Sequence, residues 1–354
     1  KRVDRRLNEY LCLTYCSTGA TGYIGGQVLR EVTRSHPEYR FTALVRDAQK
    51  AADISAAYGS VTTVIGSLDD DDIIEREASK ADIVLNLASA GHLKAVHAVH
   101  RGLKSKETSE PVYWVQISGA SALAAAEIAS PNYVAGSPSD TVFDDLDGTA
   151  ALRDLLRAHS FRAVDNYLLD IAAHASNIKT AVVFPPIIYG PGQGPGNQRS
   201  VQVPELARVI LERGHGVQVG KGLSRWGAVH VRDLGRLFAS LVASATADGG
   251  KAWGEEALYL TSSDEASFGD ISNKVTQAAH DQGLIPENSI QELEKEESAK
   301  VLPHGYIIYG TNARSQSRRA KELLGWAPRE GSLDEDIPRV VADEAKRLGR
   351  SLLT

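Results

Sequence analysis

Cysteine is nearly missing from this chain of 354 residues, which has only Cys12 and Cys16. Both fall in the first apolar run. Four residues apart on one strand, they share a face but lie too far apart along it to bridge easily. They read as buried thiols in a reducing compartment. Methionine is absent altogether. No stretch is long and apolar enough to span a bilayer. The basic opening Lys1-Arg2-Val3-Asp4-Arg5-Arg6 has only a short apolar part behind it and does not read as a cleavable signal, so a cytoplasmic location is expected. An excess of positive charge is also lacking. A net charge of −6 argues against nucleic acid or an anionic membrane as partner and leaves a small-molecule substrate. His, Cys and carboxylates do not cluster at ligand spacing, so no metal is expected, and there is no Gly-x-Ser-x-Gly nucleophile elbow. Neither an internal repeat nor a low-complexity linker is visible.

What is present suits an ordinary globular protein with a large core, at 42% hydrophobic and 24% charged residues. The most informative stretch is Thr18-Gly19-Ala20-Thr21-Gly22-Tyr23-Ile24-Gly25-Gly26, directly after the apolar run 10–15. A strand, a glycine-rich turn and a helix together offer backbone N–H groups to a pyrophosphate. Gly19 permits the tight turn and Gly22 lets the backbone approach the phosphates. Gly25 lets the helix pack closely on the strand.

Beyond this turn, 23–35 has helical spacing, and 41–45, 61–65, 82–87 and 112–117 read as strands. Helical patterns fall at 69–78, with acidic residues in the first turn, and at 92–102. The polar stretch 130–148 reads as a loop and 149–175 as one long helix. A sixth strand is predicted at 180–184, with helices at 204–212 and 318–324. The segment 228–234 begins a further element, 258–260 is a short strand, and the acidic run 291–300 reads as a solvated helix face. Strands alternating with helices at about thirty-residue intervals imply right-handed βαβ crossovers. The expected fold is α/β, a doubly wound parallel Rossmann-like sheet with a smaller, discontinuous C-terminal substrate lobe. The nucleotide-binding part is expected at 10–185, with 229–260 returning to it, and the lobe at 186–228 and 261–354. Ligands of such folds lie at the carboxyl ends of the strands.

The ordered set of motifs resembles the extended, epimerase/dehydratase-like branch of the short-chain dehydrogenase/reductase superfamily, over roughly residues 10–350. The resemblance is carried by the Thr-Gly-x-x-Gly-x-x-Gly spacing from Thr18 to Gly25 and by Pro185-Pro186-x-x-Tyr189-Gly190-Pro191. It is also carried by His230-Val231-Arg232-Asp233-Leu234 and by Lys321-Glu322-Leu323-Leu324-Gly325-Trp326-Ala327-Pro328. It implies that Thr18, Gly19, Thr21, Gly22, Tyr23, Ile24 and Gly25 hold the cofactor, with Ser67 and Leu68 at its adenine. Asn86, Ala88 and Ser89 would lie along the nicotinamide half, with Pro185 and Ile188 bordering the cofactor.

NAD enzymes of this fold carry an acidic residue at the end of the second strand, about twenty residues past the motif, on the ribose 2′-hydroxyl. Here that place holds Arg46. A guanidinium can pair with a 2′-phosphate, and Asp47 is expected to point away by strand alternation. NADP is therefore favoured over NAD.

The family's chemistry uses a serine, a tyrosine and a lysine four residues after that tyrosine, which lowers the tyrosine's pKa. Ser118 or Ser121 supplies the serine, with Ser118 preferred. None of the twelve tyrosines has a lysine four positions later, and no lysine occurs between Lys106 and Lys179. Arg162 falls near the tyrosine position and Asn166 near the lysine position, where Asn166 could still bond the ribose. His159, Tyr133 and Tyr189 are the candidate substitutes for the proton donor. Gln198, Arg199, Trp226 and His230 are candidate lining of a substrate pocket under a lid at 190–199. Three readings follow: an atypical NADP(H)-dependent oxidoreductase acting on a carbonyl or alcohol, a non-catalytic NAD(P)-binding regulator, and a nucleotide-sugar epimerase or dehydratase. A homodimer is possible by resemblance.

Overall fold

The computed structural model describes residues 13–175, 177–245 and 250–350. Cys12 lies outside them, and Cys16 is a buried free thiol. The chain begins with β1 (Thr14–Thr18), α1 (Tyr23–Ser35), β2 (Arg40–Val45), α2 (Ala48–Ala57) and β3 (Val61–Ile65). It continues through α3 (Asp71–Lys80), β4 (Ile83–Asn86), α4 (Leu93–Ser105), β5 (Val112–Ile117) and the short α5 (Ala125–Ala129). Next come β6 (Phe143–Asp144), α6 (Thr149–Arg157), α7 (Ala163–His174), β7 (Ile178–Phe184) and β8 (Ile187–Tyr189). Then follow α8 (Gln202–Arg213), β9 (Gly216–Val219), β10 (Arg225–His230), α9 (Val231–Ser244) and β11 (Leu258–Leu260). The last elements are β12 (Asp264–Ser267), α10 (Phe268–Asp281), β13 (Ile290–Leu293), α11 (Lys295–Val301), α12 (Gly305–Tyr309), β14 (Ser315–Gln316), α13 (Arg319–Leu324) and α14 (Leu333–Arg347).

Seven strands form one sheet in the order β11-β7-β5-β4-β1-β2-β3, and every neighbouring pair is parallel. The order runs outward from β1 in both directions, as a doubly wound fold requires, and creates a crevice at the carboxyl ends of β1 and β4. Both faces are covered. Tyr15, Ala43, Ile83, Leu85, Val115 and Val183 pack with Val28 and Val32 of α1 and Phe238 of α9. The alternate residues Cys16, Leu44, Val84, Trp114 and Val182 pack with Ile74 of α3, Val99 of α4 and Leu168 of α7. This alternation with both faces buried is why the strands read as continuous apolar runs. Smaller sheets of β12-β10-β8, β13-β9 and β14-β6 carry the rest.

Two expectations are corrected. The single helix at 149–175 is two, α6 and α7, separated by 158–162. The Asn166 amide donates to the carbonyls of Leu156, His159 and Arg162, which also accept from the N–H groups of His159, Arg162 and Asn166, so one side chain draws the residues of the break together. The acidic run at 291–300 lies in β13, paired with β9, and then in α11, not in one helix. Within β13 Gln291 and Glu292 are exposed and Leu293 is buried.

The stretch 130–148 is held by Asp145, which is fully buried. Its carboxylate accepts from the backbone N–H groups of Leu260, Arg318 and Arg319, tying the end of β6 to the sheet edge and to α13. Asp145→Ala leaves three buried donors unpaired. Its expected cost is roughly 3 kcal/mol, read as a lower urea midpoint at unchanged slope.

Candidate functional site

The turn after β1 is built by close approach. Gly19 has φ +78, and a Cβ there would stand 2.9 Å from the Ala88 and Leu87 backbone. A Cβ on Gly25 would overlap the Gly19 carbonyl oxygen. Gly22 N–H donates to Gly19 O at 2.8 Å and closes the turn. The Thr18 hydroxyl donates to Asn86 Oδ1 at 2.6 Å and accepts from the N–H groups of Leu87 and Ala88, fixing the end of β1 to that of β4. Helix α1 starts at Gly22 with no side-chain cap and no acidic residue in its first turn. Its leading N–H groups and positive dipole end are therefore left for an anionic ligand.

Over this turn lies a cavity of about 800 Å³. Thr18, Gly19, Thr21, Gly22, Tyr23, Ile24, Gly25, Arg46, Ser67, Leu68, Ala88 and Ile188 line it. Asn86, Ser89, Asn166 and Pro185 do not line it. Asn86 is spent on Thr18 and Gln116, and Asn166 on the carbonyls between α6 and α7. Pro185 O accepts from Ala120 N–H. Sequence reasoning did not name Leu44, Val45, Lys50, Asp53, Gly66, Leu87, Gly196, Asn197, Val201, Gln202, His304 and Ile308 as site residues, and these complete the wall. At the end of β2, Arg46 is exposed, and the Asp47 carboxylate turns back to cap α2, accepting from Lys50 N–H and Nζ, each at 2.9 Å. Those two bonds hold the Asp47 carboxyl below its usual range.

The segment after β8 is a strap across α1. Tyr23 Oη donates to Gly190 O, Gln193 N–H to Gln27 Oε1, and Asn197 N–H to Thr21 O. A Cβ on Gly192 would stand 3.2 Å from the Tyr23 ring, one on Gly194 2.5 Å from Gly26, and one on Gly196 would overlap Thr21 O. The sequence showed the glycine and proline content but not that every second residue must be glycine to lie on a helix.

The proton-donor candidates are not brought together at the cavity. Tyr133 Oη donates to Gly310 O at 2.9 Å and accepts from Asn312, and burial with Glu127 nearby pushes its pKa up. His159 Nδ1 donates to Leu155 O at 2.7 Å. Tyr189 donates to Gly331 O. Of the expected second-lobe lining, Gln198 bonds Gly194 O, and Arg199 pairs with Glu205 and Glu344. Trp226 bonds Thr311 O, and buried His230 accepts from Arg232 N–H.

In the place of the missing dyad stands a different cluster. Arg162 donates to Ser118 Oγ at 2.8 Å and to Asp165 at 2.7 Å, and its Nη1 reaches Ser121 Oγ at 3.5 Å. Asp165 is 2% exposed, and burial raises its pKa against the pull of Arg162 and Ser118. The cluster sits at the carboxyl end of β5, beside β4.

Parallel sheet order, glycine cradle and uncapped helix together define a Rossmann-type dinucleotide-binding protein. A family model described as NAD(P)H-binding matches residues 19–130. The oxidase ucsJ of an Acremonium species is 34% identical over 95% of this chain and 98% of its own. An uncharacterised protein of Saccharomyces cerevisiae is 24% identical over 90% and 96%. Among solved structures, the UDP-glucose 4-epimerase of Thermotoga maritima has a TM-score of 0.60 at 16% identity, covering 95% of this chain and 100% of that one. The dTDP-glucose 4,6-dehydratase of Bacillus anthracis, in complex with NAD, scores 0.62 at 14% identity over 94% and 97%. The chain belongs to the NAD(P)-binding Rossmann-type family that includes the Acremonium oxidase, with structural neighbours in the extended short-chain dehydrogenase/reductase group.

Two outcomes are expected. Gly25→Ala lowers NAD(P)H affinity at least tenfold while circular dichroism shows a folded protein; fluorescence titration measures it. Arg162→Ala strands a buried carboxylate and costs roughly 3 kcal/mol, whereas Arg162→Met with Asp165→Leu recovers most of that stability in a thermal melt.

Proposed function

We propose that the protein is an NADP(H)-dependent oxidoreductase acting on a carbonyl or alcohol of a small molecule. The observation that carries the reading is one cavity lined together by Arg46 and Lys50, by the glycine turn and start of α1, and by Ile188, Gln202, His304 and Ile308. That span suits a dinucleotide with a substrate at its far end. Family membership with a protein named as an oxidase supports redox chemistry.

The residues fit the group. The first-turn N–H groups of α1 would hold the pyrophosphate, and Gly19, Gly22 and Gly25 leave the room that side chains would fill. Arg46 and Lys50 would hold the 2′-phosphate, since Asp47 is committed to the α2 cap. When bound, the nicotinamide exchanges hydride with a carbonyl carbon. Ser118 accepts from Arg162 and bonds the Asp165 carboxylate, so it is committed to that cluster and does not line the cavity.

The regulator reading is favoured by one observation, the replacement of the tyrosine–lysine pair by the Arg162–Asp165 ion pair. The epimerase or dehydratase reading is weaker, because among the described lining residues the cations are Arg46 and Lys50, on the β2 side. Away from these two, the described lining offers a sugar diphosphate no lysine or arginine.

Calorimetry with NADPH, NADP, NADH and NAD tests the reading. Arg46→Ala is expected to weaken NADP(H) binding about 10- to 100-fold and leave NAD(H) unchanged, a loss of roughly 1.4–2.8 kcal/mol. Preference for NAD(H) that ignores the substitution, or no hydride transfer across a broad carbonyl panel, would refute it.

A further inference from the structure

The proton that must accompany hydride has no evident carrier among the family-type positions. The titratable side chains lining the cavity are Tyr23, Arg46, Lys50, Asp53 and His304. Tyr23 is held by its bond to Gly190 O, and burial raises its pKa. Arg46, Lys50 and Asp53 come from the end of β2 and from α2, on the adenosine side. His304 remains.

Its setting is unusual. His304 has φ +60 and ψ 5, and among the described residues it alone has a positive φ without being glycine. Gly305 follows at φ +41, where a Cβ would stand 2.5 Å from Ala299 Cα. The chain between α11 and α12 is thus wound left-handed at two successive residues, a conformation an L side chain rarely adopts and that tends to persist where function requires it. The His304 side chain is exposed and forms no hydrogen bond with a described residue. Of the residues that share this lining from β8 onward, Ile188, Gly196, Asn197, Val201, Gln202 and Ile308 carry no charge.

We propose that His304 exchanges the reaction's proton with a neutral, largely apolar carbonyl compound bound at this end of the cavity; the inference rests on the NADP(H) reading above. In reduction, hydride from NADPH forms the C–H bond at the carbonyl carbon as the C=O π pair moves to oxygen. That oxygen takes the proton from the His304 imidazolium, leaving an alcohol, NADP and neutral imidazole. Solvent reprotonates the exposed ring. Imidazole is the side chain suited to give and take a proton near neutrality.

The test compares wild type, His304→Gly and His304→Asn, two residues that tolerate this backbone conformation. Calorimetry with NADPH, thermal melting, and NADPH consumption with 4-nitrobenzaldehyde and 9,10-phenanthrenequinone are the readouts. Both variants are expected to melt no lower than wild type and bind NADPH within twofold. They should reduce the probes at least 100-fold more slowly, and free imidazole should restore His304→Gly at least tenfold without accelerating wild type. Variant rates within threefold of wild type, loss without imidazole rescue, or NADPH affinity weakened more than tenfold would each overturn the assignment. Wild type that binds NADPH but reduces neither probe also overturns it, whereas wild type that binds no NADPH overturns the cofactor reading beneath it.

Discussion

The contact of Gly25 with the Gly19 carbonyl is the constraint on which the rest of the molecule depends. It lets α1 start against the end of β1, so that the helix points its unpaired N–H groups into the crevice between β1 and β4. From the other side the Thr18 hydroxyl fixes β1 to β4, and the turn is held between these two restraints. The strap, the cavity wall and the packing of α9 against α1 all take their positions from a helix that could not lie there with a side chain at residue 25.

The same helix organises the distant half of the chain. Strap residues reach α1 through Tyr23, Gln27 and Thr21, so the segments that follow β8 are registered on the element that binds the cofactor. Asp145 makes a comparable join at the other end of the sheet, gathering three backbone donors from two remote segments. Local buried contacts of this kind fix the relative placement of distant chain segments.

What the sequence disclosed follows from which interactions are local. The glycine spacing and buried strands are local patterns, so the turn from Thr18 to Gly25 and Arg46 at the end of β2 could be placed on the cavity lining, while Ser67 and Leu68 came there by family resemblance. The break between α6 and α7 was not, because the Asn166 amide holds it by bonds to three carbonyls in residues that a periodicity reading treats as one helix. Tyr133 and His159 looked available because sequence gives side-chain type without partner, and in the fold their polar atoms bond the carbonyls of Gly310 and Leu155. Nothing local announced that His304 reaches the cavity. The His304-Gly305 pair, able to turn the chain left-handed, was the nearest available signal.

The strap also limits how this chain can drift. In Gly190-Pro191-Gly192-Gln193-Gly194-Pro195-Gly196 the glycine at 194 rests on the backbone of α1 and that at 196 on the backbone of the turn before it, while that at 192 lies against the Tyr23 ring and Gln198, so a side chain at any of them forces a neighbour to move. Pro191 and Pro195 are under no such restriction from α1. Descendants of this chain would therefore keep an alternating glycine ladder after its other residues had changed, making the spacing a more durable lineage mark than the residues between.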